Sequence, residues 1–503
     1  MAMPEGLTPD VAHYLKKKDP AEKPQKKPWL SEPIPLSQVR ERFLHGSPEG
    51  QPFSKIAAEI AEITGSWNPV ELLTPTNVQS EQENFFAAID KGEIYNPQFT
   101  YTVLPIYTSE LNEEHLLFLQ RQVRECKPSR DDRLGRIARI ALDYKIRDDL
   151  ATVDIARAMT SRTDASTKDQ AIKQALSQKY PGTDDVLWRA AQEDFARRTQ
   201  STNGETKQTG ILTKEEQEYL ETREFDAEDF KIAIEWALSQ YGILKIDNEP
   251  NSMGFTVVID PAVTAIDVRD KSANGPTVFI PADKKENGIK LLKIIGHEIE
   301  GHARQSVNGQ LLFGIGGGPL KVDNEMLYEG EGKYNDDLVS RILTGETTAT
   351  ALPVYTYAVR AAENGASFYE IYQQQLQMYL QMELHISDPA DLPPLEEIDS
   401  QKVTKGKDLG WRRSYRVMRG HTDTTNREAF ANAKDLAYKR GEMIVEDLRQ
   451  HDLGYLNEAG IIASGGLQLL AEFAISENDL PLPHKGVAIR YWHEVLQPQM
   501  FAE

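Results

Sequence analysis

The sequence predicts an α+β fold, mainly helical, with a small β-sheet packed beside one central helix. Three observations lead there. Apolar residues recur every three to four positions over most of the 503-residue chain. β-branched alternation appears clearly in one place, as FTVVI (255–259), AIDVR (265–269) and TVFI (277–280). Those segments feed directly into an amphipathic helix from about Asn287.

The elements follow in chain order. Residues 1–35 are rich in Lys and Pro without periodicity and read as a flexible basic arm. A helical N-terminal region is expected over 36–205. Val39, Phe43, Ile56, Ile60 and Ile63 keep helical spacing, and a helix in EQENFFAAID runs into an extended Asn96-Pro97-Gln98-Phe99 segment. From 110 to 198 one stripe is Leu111, His115, Phe118 and Gln122, and another is Leu134, Ile137, Ile140, Ala141 and Tyr144. The polar stretch 196–210 marks a boundary, beyond which a central region spans 206–450. It opens with an acidic helix (212–225) and an amphipathic one (227–241) closed by Gly242. Long helical regions are expected at 350–384 and 425–449, and a C-terminal helical extension at 451–503.

Charge and composition exclude several function classes. Lys and Arg number 57 against 78 Asp and Glu, a net charge of -21, which disfavours nucleic-acid binding and docking on an anionic membrane. The richest apolar run, 460–475, is broken by Ser464, Gln468 and Glu472, so no membrane-spanning helix is expected. The N-terminal sequence lacks a secretory pattern, and a single cysteine, Cys126, fits a reducing compartment; a cytoplasmic location is the expectation.

Chemistry concentrates in NGIKLLKIIGHEIEGHARQ (287–305). Ile289, Leu292, Ile295 and Ile299 give it a buried face, and it carries His297, Glu298 and His302. Histidines four apart lie on one side of an α-helix and can share a metal ion. Here the spacing is five. On an ideal α-helix that leaves the rings about 140° apart. A π turn, with its i to i+5 hydrogen bond, returns them to one side, and Gly301 lowers the steric cost of that distortion. The alternative is a half-buried histidine pair that merely neighbours a glutamate. A zinc site needs a third ligand, and VDNEMLYEGEGKYNDD (322–337) offers Glu325, Glu329 and Glu331, which spacing alone does not separate.

HEIEGH and YEGEGKY (328–334) together resemble the paired signature of the microtubule-associated tyrosine carboxypeptidase family, which includes the flavohaemoglobin-expression-modulating QEGLA-motif proteins. GEIYNPQFTY (92–101), YRVMRG (415–420) and KDLAYKRG (434–441) are similar to three further motifs of that family in the same order, so the resemblance covers about residues 85–450. It implies a zincin-like metallopeptidase region in which His297, His302 and Glu329 hold Zn2+. Glu298 would then be the general base toward an attacking water. Arg416 and Arg419 are implied as binders of a substrate's terminal carboxylate, and Tyr438 as a further substrate-side donor. The implied substrate is the C-terminal tail of a peptide or protein.

The sequence also departs from the family. Tyr328 replaces Gln and Glu331-Gly332 replaces Leu-Ala, while Glu300-Gly301 stands where relatives more often show Gly-Thr. Gly301 makes the first motif similar to that of dipeptidyl peptidase III, whose paired glutamates are absent. Two other functions therefore stand beside the carboxypeptidase reading: a non-catalytic metal-binding regulatory protein, and a dipeptidyl peptidase III-like exopeptidase. Arg412, Arg413, Arg416 and Arg419 also fit a solvated helix face or internal ion pairs. His421 reads as a loop residue, and the remaining histidines (His13, His45, His115, His385, His451, His484, His493) as structural or surface groups. FGIGGGPLK (313–321) lacks the Gly-Lys-Ser/Thr of a phosphate loop and has Pro319 where the helix should open, and the aromatics of 367–380 read as core.

Overall fold

The computed structural model describes residues 72–102, 106–125, 133–160, 165–200, 210–245, 254–269, 275–313, 326–345, 353–450, 482 and 484–501, with Ile56, Glu59, Ile60 and Ile63. The basic arm, Cys126, Glu325, the Gly-rich run from 314 and the stretch 451–481 lie outside them. The fold is α+β and mainly helical, with a small sheet against the metal-motif helix, as the sequence predicts. No helix among the described residues is long and apolar enough to cross a membrane.

Helices α1 (Val78–Ile89), α2 (Ile106–Glu125), α3 (Arg133–Thr160), α4 (Ala165–Lys179) and α5 (Asp185–Thr199) form the N-terminal part. The stripe expected on α2 is its outer face: Phe118 is 46% exposed, while Leu116, Leu119 and Val123 are buried. HLLFLQRQV supports two helical rhythms one residue apart, and burial selects the other one. The extended segment after α1 is present, with Gln98 bridged to Asp423 and Phe99 N–H bonded to the Thr422 carbonyl.

The acidic helix α6 (Lys214–Thr222) is shorter than expected. It starts at a capping box between Thr213 and Glu216 and gives way to strand β1 (Glu224–Asp226). Asp226 must be extended because it caps α7 (Ala227–Tyr241), accepting from the Glu228 and Asp229 amides. Gly242 closes α7 in the left-handed conformation, φ 68°. The three anticipated strands appear as β2 (Thr256–Asp260), β3 (Asp267–Arg269) and β4 (Thr277–Pro281), in the order β2-β4-β3. β2 and β4 are parallel and β3 is antiparallel to β4. Strand β5 (Lys285–Asn287) pairs with β1 and leads into α8 (Gly288–Ile294), whose first turn is capped by the Asn287 side chain.

A π-helical segment, Ile295–Ala303, continues α8 and passes into α9 (Arg304–Phe313). Next comes α10 (Met326–Thr344). The single helical region expected at 350–384 is two helices, α11 (Val354–Glu363) and α12 (Phe368–Leu384). Gly365, at φ 87°, breaks them and Ser367 caps the second. After α13 (Ser400–Val417), the region expected to be helical from 425 turns helical only at α14 (Leu436–Gln450). Asn426 holds the chain out of helix there, its amide donating to the Ala362 and Ala366 carbonyls.

Among the described residues, two apolar clusters organise the elements around the metal motif. In one, Phe85 meets Phe368, Tyr372 and Trp411 with ring centroids 4.8–5.2 Å apart, joining α1 to α12 and α13. The other packs α7, the three-stranded sheet, α8 and the π segment on α15 (Val487–Tyr491), so the metal motif stands on a buried apolar base. Leu292, Ile295 and Ile299 are fully buried in it.

α10 and α14 touch backbone to backbone: a Cβ on Gly330 would fall 2.3 Å from the Gly441 carbonyl carbon. Gly330→Ala should therefore lower stability by about 1–3 kcal/mol or more, read as a drop in the denaturation midpoint. Near this interface, burial pushes the Asp337 carboxyl up to about 6, against the Arg341 guanidinium 2.8 Å away and helped by Glu442 and Glu446. The folded state thus binds this proton more tightly than the unfolded chain, a contribution that favours folding at pH 4 and is lost as pH rises through 6. Thermal unfolding between pH 4 and 7 should show wild type losing stability relative to Asp337→Asn over that window.

Candidate metal centre

The π segment does what the five-residue spacing requires. The rings of His297 and His302 stand on one side of the helix, centroids 4.7 Å apart and perpendicular. Both Nε2 atoms lie 3.9 Å from Glu329 Oε2, and the three ligand atoms fall within 4.8 Å of one another. A tetrahedral zinc site has ligand–ligand edges of ~3.4 Å, so two imidazole nitrogens and one carboxylate oxygen at these separations fit the ion after a small contraction. Of the other two glutamates, Glu325 lies outside the described residues. Glu331 is fully buried and turned toward Arg304 and Asn335.

Helix α10 supplies more than the third candidate ligand. His297 Nδ1 is 3.4 Å from Asp336 Oδ2, and the same oxygen takes a 3.0 Å hydrogen bond from Lys333 Nζ. A carboxylate on Nδ1 orients the ring and leaves Nε2 for the metal. Burial opposes a charge on His297, but Asp336 outweighs it and raises the histidine pKa. Asp336, although buried, is held well below the usual carboxylate range by His297 and Lys333. Tyr328 stacks on the His302 ring at 3.7 Å. Gly332 makes room for the His297 ring, since a Cβ there would lie 2.6 Å from His297 Nε2. Gly301 has a related role rather than the backbone freedom expected of it: its φ is not in the left-handed range, and a Cβ would come within 3.1 Å of Gly332 Cα.

Glu298 lines a cavity of about 850 Å³ together with the three candidate ligands. Burial pushes its carboxyl up to about 7; His297 opposes this, and Glu329 and Asp336 add to it. The cavity is walled on one side by residues 262–269, the loop before β3 and β3 itself, and on the other by Tyr355, Thr356, Arg416 and Tyr438.

The sequence-predicted substrate residues divide. Tyr438 and Arg416 line the cavity. Arg416 is held by Asp435, through Nε at 2.9 Å and a second bond from Nη2, and its guanidinium lies over the Tyr355 ring. Arg419 is not among the cavity-lining residues; its guanidinium packs on the Tyr415 ring at 4.9 Å. A motif read as one unit on a helix is therefore split, because three positions carry Arg419 past the last turn of α13. Arg412 pairs with Asp408 and Arg413 is buried. His421 follows α13 in a loop, fully buried and stacked on Phe430, and burial lowers its pKa to about 3. Sequence reasoning missed Asp336 and Lys333. Their signal was available: both follow Glu329 on one helix at four and seven residues, hence on its face.

No protein-family model and no curated protein matches the chain. Among solved structures, a lipoprotein candidate of unknown function from Shewanella oneidensis is similar at 13% identity over 92% of this chain and 96% of that one, with a TM-score of 0.35. A likeness at that level carries no argument about what this chain does.

The Asp336–His297 contact has a measurable consequence. Asp336→Asn should weaken zinc binding roughly 10- to 100-fold, as removal of an outer carboxylate typically does, with competition against a chromogenic chelator as the readout.

Proposed function

We propose that this chain is a zinc-dependent peptidase of the carboxypeptidase kind, hydrolysing the last peptide bond of a peptide or protein tail. The observation that carries this reading is the π segment that sets His297 and His302 against Glu329 beside a cavity lined by Glu298. A site built only to brace the fold would be closed by a fourth protein ligand. Among the described residues the cluster has three members, and it borders a cavity wide enough for several peptide residues.

When bound, zinc would supply a Lewis acid for the scissile carbonyl and bring the pKa of a water near neutrality. The chain's own groups do the rest. Glu298 accepts a proton from the attacking water as the C–O bond forms, then delivers it to the leaving amine as the C–N bond breaks. Asp336 keeps the His297 ring oriented throughout. Tyr438 offers a phenol to the charge that develops on the carbonyl oxygen. Arg416, with its side chain 34% exposed, has guanidinium edge left beyond Asp435 for a terminal carboxylate. The single cysteine suits a cytoplasmic setting.

Cleavage of a peptide library, with free and with amidated C-termini, tests activity and direction together. Free-acid peptides should lose one C-terminal residue, amidated ones should resist, and a chelator should stop the reaction until zinc is restored. Glu298→Gln should retain zinc and lose roughly 10²- to 10⁴-fold in kcat. Hydrolysis that persists in this variant, or in the zinc-free protein, would overturn the reading.

A further inference from the structure

A π helix is rare because its backbone packs less well than an α-helix, so a nine-residue π segment needs something to hold it. Its inner side rests on α10. Beside that contact stands Glu300, a carboxylate only 1% exposed in the middle of the motif, near His484, which also reaches Asn335 of α10 at 3.3 Å. Burying that group is costly unless its oxygens are bonded. Here Glu300 Oε1 accepts from the Val487 amide at 2.8 Å and from the Tyr241 hydroxyl at 3.2 Å, with His484 Nε2 at 3.5 Å. The Tyr241 hydroxyl in turn accepts from the Lys485 amide at 3.0 Å.

One and two turns further along, at Arg304 and Asn308, the same helix grips the same distant segment. Asn308 and Leu482 exchange two bonds, 3.1 and 2.8 Å, and Arg304 Nη1 donates to the Leu482 carbonyl. A stretch of chain about 180 residues downstream of the metal motif is thus fastened along its back, and Glu300 is the fastening inside the π segment itself.

We propose that Glu300 is a positioning residue for the metal centre: by holding residues 484–487 against the helix it keeps Ile295–Ala303 in the π register, and so keeps His302 beside His297. Without that bond the segment relaxes toward α geometry, which turns the two rings about 140° apart and removes one ligand. The role is absent from the ligand set and from the proton chemistry proposed above. It rests on the zinc reading for its consequence but not for its geometry.

The test uses the full chain and two readouts. Zinc affinity, measured by chelator competition, should fall roughly 10- to 100-fold in Glu300→Ala. Glu300→Gln keeps an oxygen acceptor at the same place and should stay within a few-fold of wild type, roughly the difference between charged and neutral acceptors. Tyr241→Phe removes one donor in a variant that keeps its packing, and should show a smaller loss in the same direction.

A crystal structure of the metal-free Glu300→Ala protein should show the His297–His302 centroid separation opened beyond 4.7 Å and regular α-helix across 295–303. A folded Glu300→Ala that keeps wild-type affinity and an intact π segment overturns the proposal. So does equal loss in the Gln and Ala variants. If Glu300→Ala does not fold, unchanged affinity in Tyr241→Phe overturns it instead. A wild-type protein that binds no zinc would sink the proposed function, while the metal-free geometry would still decide the role of Glu300.

Discussion

Everything distinctive in this structure depends on one constraint: two histidines five residues apart can face the same point only if the helix carrying them departs from α geometry. The departure is not local to the helix. A widened helix presents different faces to its neighbours, and each neighbour has adapted. α10 approaches with glycine at the contacts, so that Gly301 meets Gly332 backbone to backbone and the His297 ring finds space over Gly332. The second core anchors the helix through Leu292, Ile295 and Ile299. The back is tied to the end of the chain. The metal geometry is therefore a property of three packed layers rather than of a hexapeptide.

The electrostatics follow from the same packing. Bringing α10 this close places Glu329, Lys333 and Asp336 on one helical stripe against His297 and Glu298. A cluster so rich in carboxylates would repel itself if each stood alone. Asp336 is compensated because its Oδ2 is shared between His297 and Lys333, whereas burial dominates at Glu298 and pushes its carboxyl up. Two carboxyl groups of one cluster are thus pushed in opposite directions, Glu298 up by burial and Asp336 down by His297 and Lys333.

Much of this was legible in the sequence, for identifiable reasons. The strands showed because β-branched residues alternated between turn residues, and the Gly242 stop and the Asn287 start showed because caps are local chemistry. The π turn showed because the two motif histidines could not otherwise be reconciled. What stayed hidden needed tertiary information. The α2 stripe was ambiguous between two registers that only packing separates. The breaks at Gly365 and before Leu436 are set by contacts between elements 60 residues apart in sequence. Glu300 looked like a departure in a motif, and its partners at Tyr241 and Val487 lie far from it along the chain.

The arginines show how motif reading and structure diverge. In the proposed reaction a terminal carboxylate arriving in the cavity would meet Arg416 already bound by Asp435, so the two anions would share one guanidinium. Sharing costs affinity, because part of the cation's field is spent inside the protein. Of the other cations lining the cavity, Arg269 pairs with Asp267, Lys284 with Glu286, Lys333 with Asp336 and Lys439 with Glu442, while Lys290 is exposed. On a chain of net charge -21 this arrangement gives no long-range attraction for acidic tails. Under the proposed peptidase reading, the uncharged stretch 262–266 and the backbone of the edge strand β3, whose Asp267 and Arg269 pair with each other, offer contacts that do not depend on peptide sequence. Such a site would choose its substrates by the accessibility of a chain end more than by the charge of what precedes it.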